Sequence, residues 1–264
     1  LAHALVVFTK VPAEGVKTRL TVEEGGILEK EEAVNLYRSC LKDVLLACEK
    51  GITQWNKERE NKIDLLLCYR HEDDLAVLLS FLDEVNLKVD VSVFADKGQS
   101  FDQRMQSASD EAFKRGYDSC LISGGDLPTF SPDFVKESFS VLEKLNSEKG
   151  ALVTAACQEG GFSLVGFTQN TPFNFEGVFY NREGITAMDM LVDKVEEKTI
   201  PLGVLPLLMD IDLPVDLASL IPLVRALYLA HQSDQSVWFP RHFLLFLEEV
   251  GLSSMAYPPQ EGRS

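Results

Sequence analysis

Short strands alternating with amphipathic helices predict an α/β fold built on a mainly parallel sheet. Three observations carry this expectation. Apolar runs rich in Val, Ile and Leu recur, each bounded by charge or turn residues. Between them lie longer stretches with helical periodicity, the pattern of βαβ units whose sheet is covered on both faces. The composition, 264 residues with 45% hydrophobic and 25% charged, is that of a globular chain large enough to bury a core without disulfides or a structural metal.

Taken in order, residues 4–9 (ALVVFT) read as the first strand, and residues 31–48 as a helix. Strands follow at 63–69 and 89–95, with a helix at 73–82 between them. A helix at 101–115 leads to a strand at 119–123, and a helix at 132–145 leads to one at 151–156. The 132–145 helix opens Ser131-Pro132-Asp133: an N-cap, a proline where its missing N–H costs nothing, and an early acid. The rhythm then changes. Gly160-Gly161 precedes a strand at 162–167, and residues 168–180 show no periodicity. A helix at about 183–195 leads to a strand within 199–208, where Pro201 and Pro206 imply a sheet edge. Helices are expected at 215–229 and 240–250, followed by a polar tail.

The charge balance, 25 Lys+Arg against 41 Asp+Glu for a net −16, argues against a nucleic-acid polymer as partner. It leaves room for a small phosphorylated ligand in a local basic pocket, and for a homo-oligomer. The five cysteines stand singly without a CxxC pair, which predicts buried thiols in a reducing compartment. The first apolar run is too short for a signal peptide, and no stretch reaches the roughly 18 apolar residues of a membrane helix. A cytoplasmic location is expected.

Ligands of open parallel sheets bind beyond the carboxyl ends of the strands, and three segments there carry suggestive residues. After the first strand, residues 9–20 (TKVPAEGVKTRL) combine Gly15 with Lys10, Lys17 and Arg19. Glycine permits close backbone approach, and arginine can grip two phosphate oxygens. The order is neither a P-loop nor a GxGxxG fingerprint, and a solvated loop with ordinary cations is an equal alternative. Ser123-Gly124-Gly125-Asp126 ends another strand. Asp126 could reach a metal held by nucleotide phosphates, although Gly, Asp and Pro together also make a turn. In Asp210-Ile211-Asp212, alternate acids of an extended segment point to one side and could face a cation; Asp212 could instead cap the helix beyond Pro214. His71-Glu72-Asp73-Asp74 reads as a helix start rather than a metal site.

The ordered set VFTKVPAEGVKTRL, FDQRMQSASDEAFKRGYDSCLISGGDLPTFSPDF, QEGGFSLVGF and MDIDLPVDL resembles a family of glycosyltransferase-like proteins of bacteria and archaea. That family belongs to the nucleotide-diphospho-sugar transferase (GT-A) superfamily and is similar to the guanylyltransferases of deazaflavin-cofactor biosynthesis. The resemblance implies a Rossmann-like, three-layer sandwich over residues 1–217, with 218–264 a helical extension of the same domain. It implies that Lys10, Gly15, Lys17, Arg19, Gln103 and Arg104 approach the nucleotide, with Lys17, Arg19 and Asp126 catalytic. It makes Asp126 and Asp212 the ligands of Mg²⁺ (or Mn²⁺), and places Glu159, Gly160 and Gly161 on the acceptor side. The chain departs from relatives at Gly125, where an acidic or small polar residue is common, at Glu159 for Asp, and at Phe162-Ser163 for an aromatic-Tyr pair.

These features predict a metal-dependent transferase that uses a nucleoside triphosphate or a nucleotide-sugar. In nucleotidyl transfer, an acceptor phosphate attacks the α-phosphorus and pyrophosphate leaves. In glycosyl transfer the metal would hold a leaving diphosphate, and Glu159 would activate an acceptor hydroxyl. A non-catalytic nucleotide-binding module with the same fold is the third reading.

Overall fold

The computed structural model describes residues 1–13 and 15–254; the polar tail read at the end of the sequence lies almost wholly outside them. Strands β1 (Ala2–Phe8), β2 (Lys62–Tyr69), β3 (Val91–Ala95), β4 (Ser119–Gly124), β5 (Leu152–Ala156), β6 (Phe162–Thr168) and β7 (Leu202–Leu205) form one sheet in the order β3-β2-β1-β4-β6-β5-β7. All pairings are parallel except those of β6, which runs antiparallel to both β4 and β5. The exception follows from chain length. Only Cys157–Gly161 separates β5 from β6, far too few residues for a crossover, so the chain must turn back. Glu159 (φ 61°) and Gly160 (φ 73°) supply that reversal.

The sheet is apolar on both faces, as alternate residues show. Leu5, Val7, Leu65, Leu67, Leu121 and Val153 join the core under α1 (Lys30–Glu58), α2 (Leu75–Val85) and α4 (Pro132–Leu145). Ala4, Val6, Leu66, Cys120, Ile122 and Leu152 join the core under α3 (Phe101–Lys114) and α5 (Ala187–Lys198). Three layers result. The aperiodic segment 169–186 forms no helix or strand, yet it buries Phe173, Phe175 and Val178 in the second core. Carboxylate oxygens of Asp102 accept the backbone N–H groups of Gly177 and Phe179, both at 2.8 Å, and hold the segment against α3.

Helix α1 runs ten residues beyond the expected end at 48. Gly51, inside this extension, serves packing: a Cβ there would lie 2.8 Å from both Pro132 O and Val135 Cβ, so glycine lets α1 and α4 close. Strand β7 sits at the sheet edge between its two prolines, as Pro201 and Pro206 required. Helices α6 (Pro214–Ser233) and α7 (Arg241–Glu249) share a third apolar cluster with α1, including Leu36, Cys40, Leu217, Leu220 and Phe243. Buried Asp43 of α1 fastens α7, accepting from the His242 ring nitrogen at 2.8 Å and the Phe243 N–H at 2.8 Å. Four cysteines are buried and Cys157 is half-buried; all five are free thiols.

Candidate active site

The strand order creates a crevice. The chain moves outward from β1 through β2 to β3, then returns to β4 on the other side of β1, so the loops that leave β1 and β4 emerge side by side at the carboxyl end of the sheet, where ligands of such sheets bind. A cleft of about 900 Å³ opens at this point, bordered by Lys10, Arg70, Asp126, Glu159, Tyr180 and Asp210, among others. The folding of β7 back along the sheet brings residues 210–216 to the same place.

The loop after β1 is pinned at its root. Thr9 donates its N–H and hydroxyl to Cys68 O at 2.8 and 3.0 Å, and the Lys10 N–H donates to Tyr37 Oη at 2.8 Å. Lys17 takes left-handed backbone angles (φ 55°, ψ 35°), which cost energy in any residue with a Cβ. Its side chain turns inward, 1% exposed, and all three ammonium protons are used. They go to an Asp126 carboxylate oxygen, to Ile211 O, and to Asp212 Oδ1 at 2.8 Å. Arg19 donates to the other Asp212 oxygen at 2.7 Å. Burial works to lower the Lys17 pKa, but Asp126 and Asp212 more than offset it and hold it above the ordinary lysine value. Burial likewise opposes ionisation of Asp212, and Lys17 and Arg19 overcome it to hold that carboxyl below the usual range.

Two further acids complete the floor. Asp210 is pushed up to about 6 by burial and by the neighbouring charges of Asp126 and Asp212. Asp216, 3% exposed, accepts the Asp212 and Leu213 N–H groups at 2.8 and 2.6 Å, and Gln158 Nε2 at 2.9 Å. It thereby caps α6 and fixes the backbone that carries Asp212. Gly125 is explained by packing: a Cβ would lie 3.0 Å from Tyr37 Oη and 2.9 Å from Leu41 Cδ1. A side chain there would have to displace Tyr37 or Leu41 of α1.

Asp126, Asp212 and the Ile211 carbonyl thus converge on one point, a hard-oxygen set of the kind a magnesium–nucleotide site uses, with phosphate and water filling the remaining positions. Lys17 Nζ holds that point here. The donors therefore suit a divalent cation once the ammonium withdraws. Among the described residues, no group of three or more His, Cys, Asp or Glu side chains is arranged as a metal cage.

The remaining expected residues divide. Arg104 borders the cleft but is tied to Asp96 through Nε at 2.9 Å and Nη2 at 2.8 Å, with Phe8 and Phe101 rings beneath it. Gln103 does not border the cleft; its side chain closes the cap of α3 by accepting the Gln99 N–H at 2.8 Å. Gly15 (φ 91°) is a turn glycine outside the cleft wall. Glu159, Gly160 and Gly161 do border it, and a Cβ on Gly160 would lie 2.6 Å from Thr186 Cγ2. Lys10 stands at the rim, exposed overall; desolvation by the cleft walls and repulsion from Lys17 still hold its ammonium below the ordinary lysine value.

Sequence reasoning missed Arg70, which the strand-end rule applied to β2 would have found. It also missed an aromatic wall formed by Phe101, Phe162, Phe179 and Tyr180. These four come from three separate segments, α3, β6 and the aperiodic 169–186, with no mutual signal in the sequence.

A family model, "Uncharacterized protein conserved in bacteria (DUF2064)", matches residues 56–182, just under half the chain and inclusive of Asp126 and Glu159–Gly161. No functionally curated protein matches the sequence. Among solved structures, a Desulfovibrio desulfuricans G20 protein described as a nucleotide-diphospho-sugar transferase is similar over 94% of this chain and 95% of its own, with 23% identity and a TM-score of 0.70. A cytidylyltransferase from Leptospira borgpetersenii serovar Hardjo-bovis (strain JB197) is similar over 95% of this chain and 94% of its own, with 13% identity and a TM-score of 0.50. The chain has the nucleotide-diphospho-sugar transferase fold. No helix among the described residues is long and apolar enough to cross a membrane.

Proposed function

We propose that the protein is a transferase of nucleotide chemistry, and that nucleotidyl transfer to a phosphorylated small molecule is its reaction. The observation that supports this reading is the meeting, at the sheet's switch point, of the Lys10–Arg19 loop with Asp126 and Asp212. A nucleoside triphosphate would lie along the cleft with its phosphates over that loop. An oxygen of the acceptor phosphate would attack the α-phosphorus, and the bond to the β-phosphate bridging oxygen would break. Pyrophosphate would leave with the electron pair. A phosphate acceptor is already ionised at neutral pH, so no protein base is required, and the chain's contribution is positioning and charge stabilisation. Mg²⁺ or Mn²⁺ on Asp126 and Asp212 would supply neutralisation of phosphate charge. The likeness to deazaflavin guanylyltransferases belongs to this proposal. Glu159, exposed in the cleft, keeps glycosyl transfer as a second reading, in which it activates an acceptor hydroxyl.

A thermal-shift panel of nucleoside triphosphates and nucleotide-sugars, with and without Mg²⁺, tests the proposal. A native-state ligand at a hundred times its dissociation constant stabilises by about 2.7 kcal/mol, well within detection. A metal-dependent shift with one triphosphate, lost in Asp126→Asn, is expected. A shift confined to a nucleotide-sugar would favour glycosyl transfer, and none at all would overturn both.

A further inference from the structure

Five cations stand at the cleft: Lys10, Arg19, Arg70 and Arg104 border it, and Lys17 lies buried behind Asp126 and Asp212. Three are already matched. Lys17 spends every ammonium proton on Asp126, Ile211 O and Asp212. Arg19 is paired with Asp212. Arg104 is paired with Asp96, whose side chain is only 3% exposed. The floor beside them carries further negative charge in Asp210 and Glu159, and the whole chain carries −16. An incoming polyanion therefore meets no surplus positive charge from those three.

Arg70 and Lys10 differ. Neither side chain has a carboxylate partner among the described residues, and both border the cleft. Both leave neighbouring strands at the same end of the sheet: Phe8 of β1 pairs in parallel register with Cys68 of β2, and Thr9 bonds to Cys68 O. The chain leaves β1 at Phe8 and β2 at Tyr69, and Lys10 and Arg70 follow, each two residues beyond the paired Phe8 and Cys68. A guanidinium fork next to a compact ammonium is suited to neighbouring phosphoryl groups, because the fork takes two oxygens of one phosphate and the ammonium bridges to the next.

We infer that Arg70, together with Lys10, is the polyphosphate clamp of this cleft, and that it contributes more to phosphate binding than Arg19. This rests on the reading that the ligand is a nucleotide, and it names a binding residue that the loop motif does not contain. The roles separate by pairing. Lys17 and Arg19 organise the carboxylates, while Arg70 and Lys10 receive the phosphates.

Inorganic tripolyphosphate is the probe, because it presents the phosphate chain without requiring the base to be known. Its binding is measured by titration calorimetry at two salt concentrations for the wild type and for Arg70→Gln, Lys10→Gln and Arg19→Gln, with a melting curve for each. Arg70 is exposed, so its variant is expected to melt with the wild type. The expected result is an affinity loss of about tenfold for Arg70→Gln and a shallower salt dependence, with a clearly smaller loss for Arg19→Gln. Equal losses, or an Arg70→Gln protein that binds as the wild type does, would overturn the assignment. If tripolyphosphate fails to bind while a nucleotide still shifts the melting temperature, the clamp is wrong and the nucleotide reading stands. If neither binds, both fall.

Discussion

Replacing Lys17 by Met removes the charge that joins the loop after β1 to the segments after β4 and β7. The buried ammonium is matched to two carboxylates and a carbonyl. Its loss leaves Asp126 and Asp212 facing each other, with Arg19 bonded to Asp212 and Lys10 at longer range as the remaining compensation. Deleting one partner of a buried pair costs about 3–5 kcal/mol. Here the carboxylates are not wholly dry, at 21% and 35% exposure, so water recovers part of the loss and about 3 kcal/mol is expected. For a chain of this size each kcal/mol lowers the melting temperature by about 2–4 °C, giving a drop of roughly 6–12 °C at pH 7.5.

The pH dependence follows from the shifted groups. The depressed Asp212 pKa stabilises the folded state above the unfolded value near 3.9 and is lost as pH falls through the lower folded value. The raised Lys17 pKa stabilises below about 10.4 and is lost only as pH climbs through the folded value. The gap between wild type and variant should thus be widest from about pH 5 to 10 and close below about pH 4. Urea and thermal unfolding across that range measure it. Adding Asp126→Asn to Lys17→Met should relieve the loss rather than add to it, and millimolar Mg²⁺ should restore part of it. A single variant within about 1 kcal/mol of wild type, the median for an exposed pair, or a strictly additive double variant, would refute the reasoning.

Three other outcomes are expected. Asp210→Asn should stabilise the protein above pH 6 and make no difference below about pH 4, because a carboxyl raised from 3.8 to about 6 weakens the fold only where it must ionise; that gap caps the gain at about 3 kcal/mol, read from the pH dependence of unfolding. Gly125→Ala should cost about 1–3 kcal/mol by forcing a methyl against Tyr37 and Leu41, and denaturant midpoints would expose a neutral result as a packing error. Asp216→Ala should cost about 1–2 kcal/mol through the lost α6 cap, and should also weaken any ligand that depends on Asp212; unchanged ligand affinity would show that Asp212 needs no such support.

The paired state of Lys17 changes how its motif is understood. Basic residues after a first strand read naturally as phosphate contacts, because phosphate is the commonest reason to gather them there. A cation's availability depends on what faces it, and the residues facing Lys17 lie 109 and 195 positions away. The same holds for Arg104, whose partner Asp96 carries no local signal of the pairing. Gln103 shows the converse: its spacing from Ser100 is that of a capping box, a local cue that outweighed the resemblance.

By itself, the sequence determined what short-range physics can determine. Alternating burial of β-branched and leucine residues made two-faced parallel strands, Ser131-Pro132-Asp133 started α4 at its observed residue, and two prolines confined β7 to an edge. Each of those outcomes depends on neighbours within a few positions, where steric and hydrogen-bond preferences act directly. Tertiary structure alone decided that β6 inserts between β4 and β5, that Gly51 and Gly125 are places where helices press on neighbours, and which cations are already neutralised. Those are matters of distance between remote segments. Electrostatic pairing depends on that distance and on exclusion of water, neither of which exists until the sheet has brought the loops together.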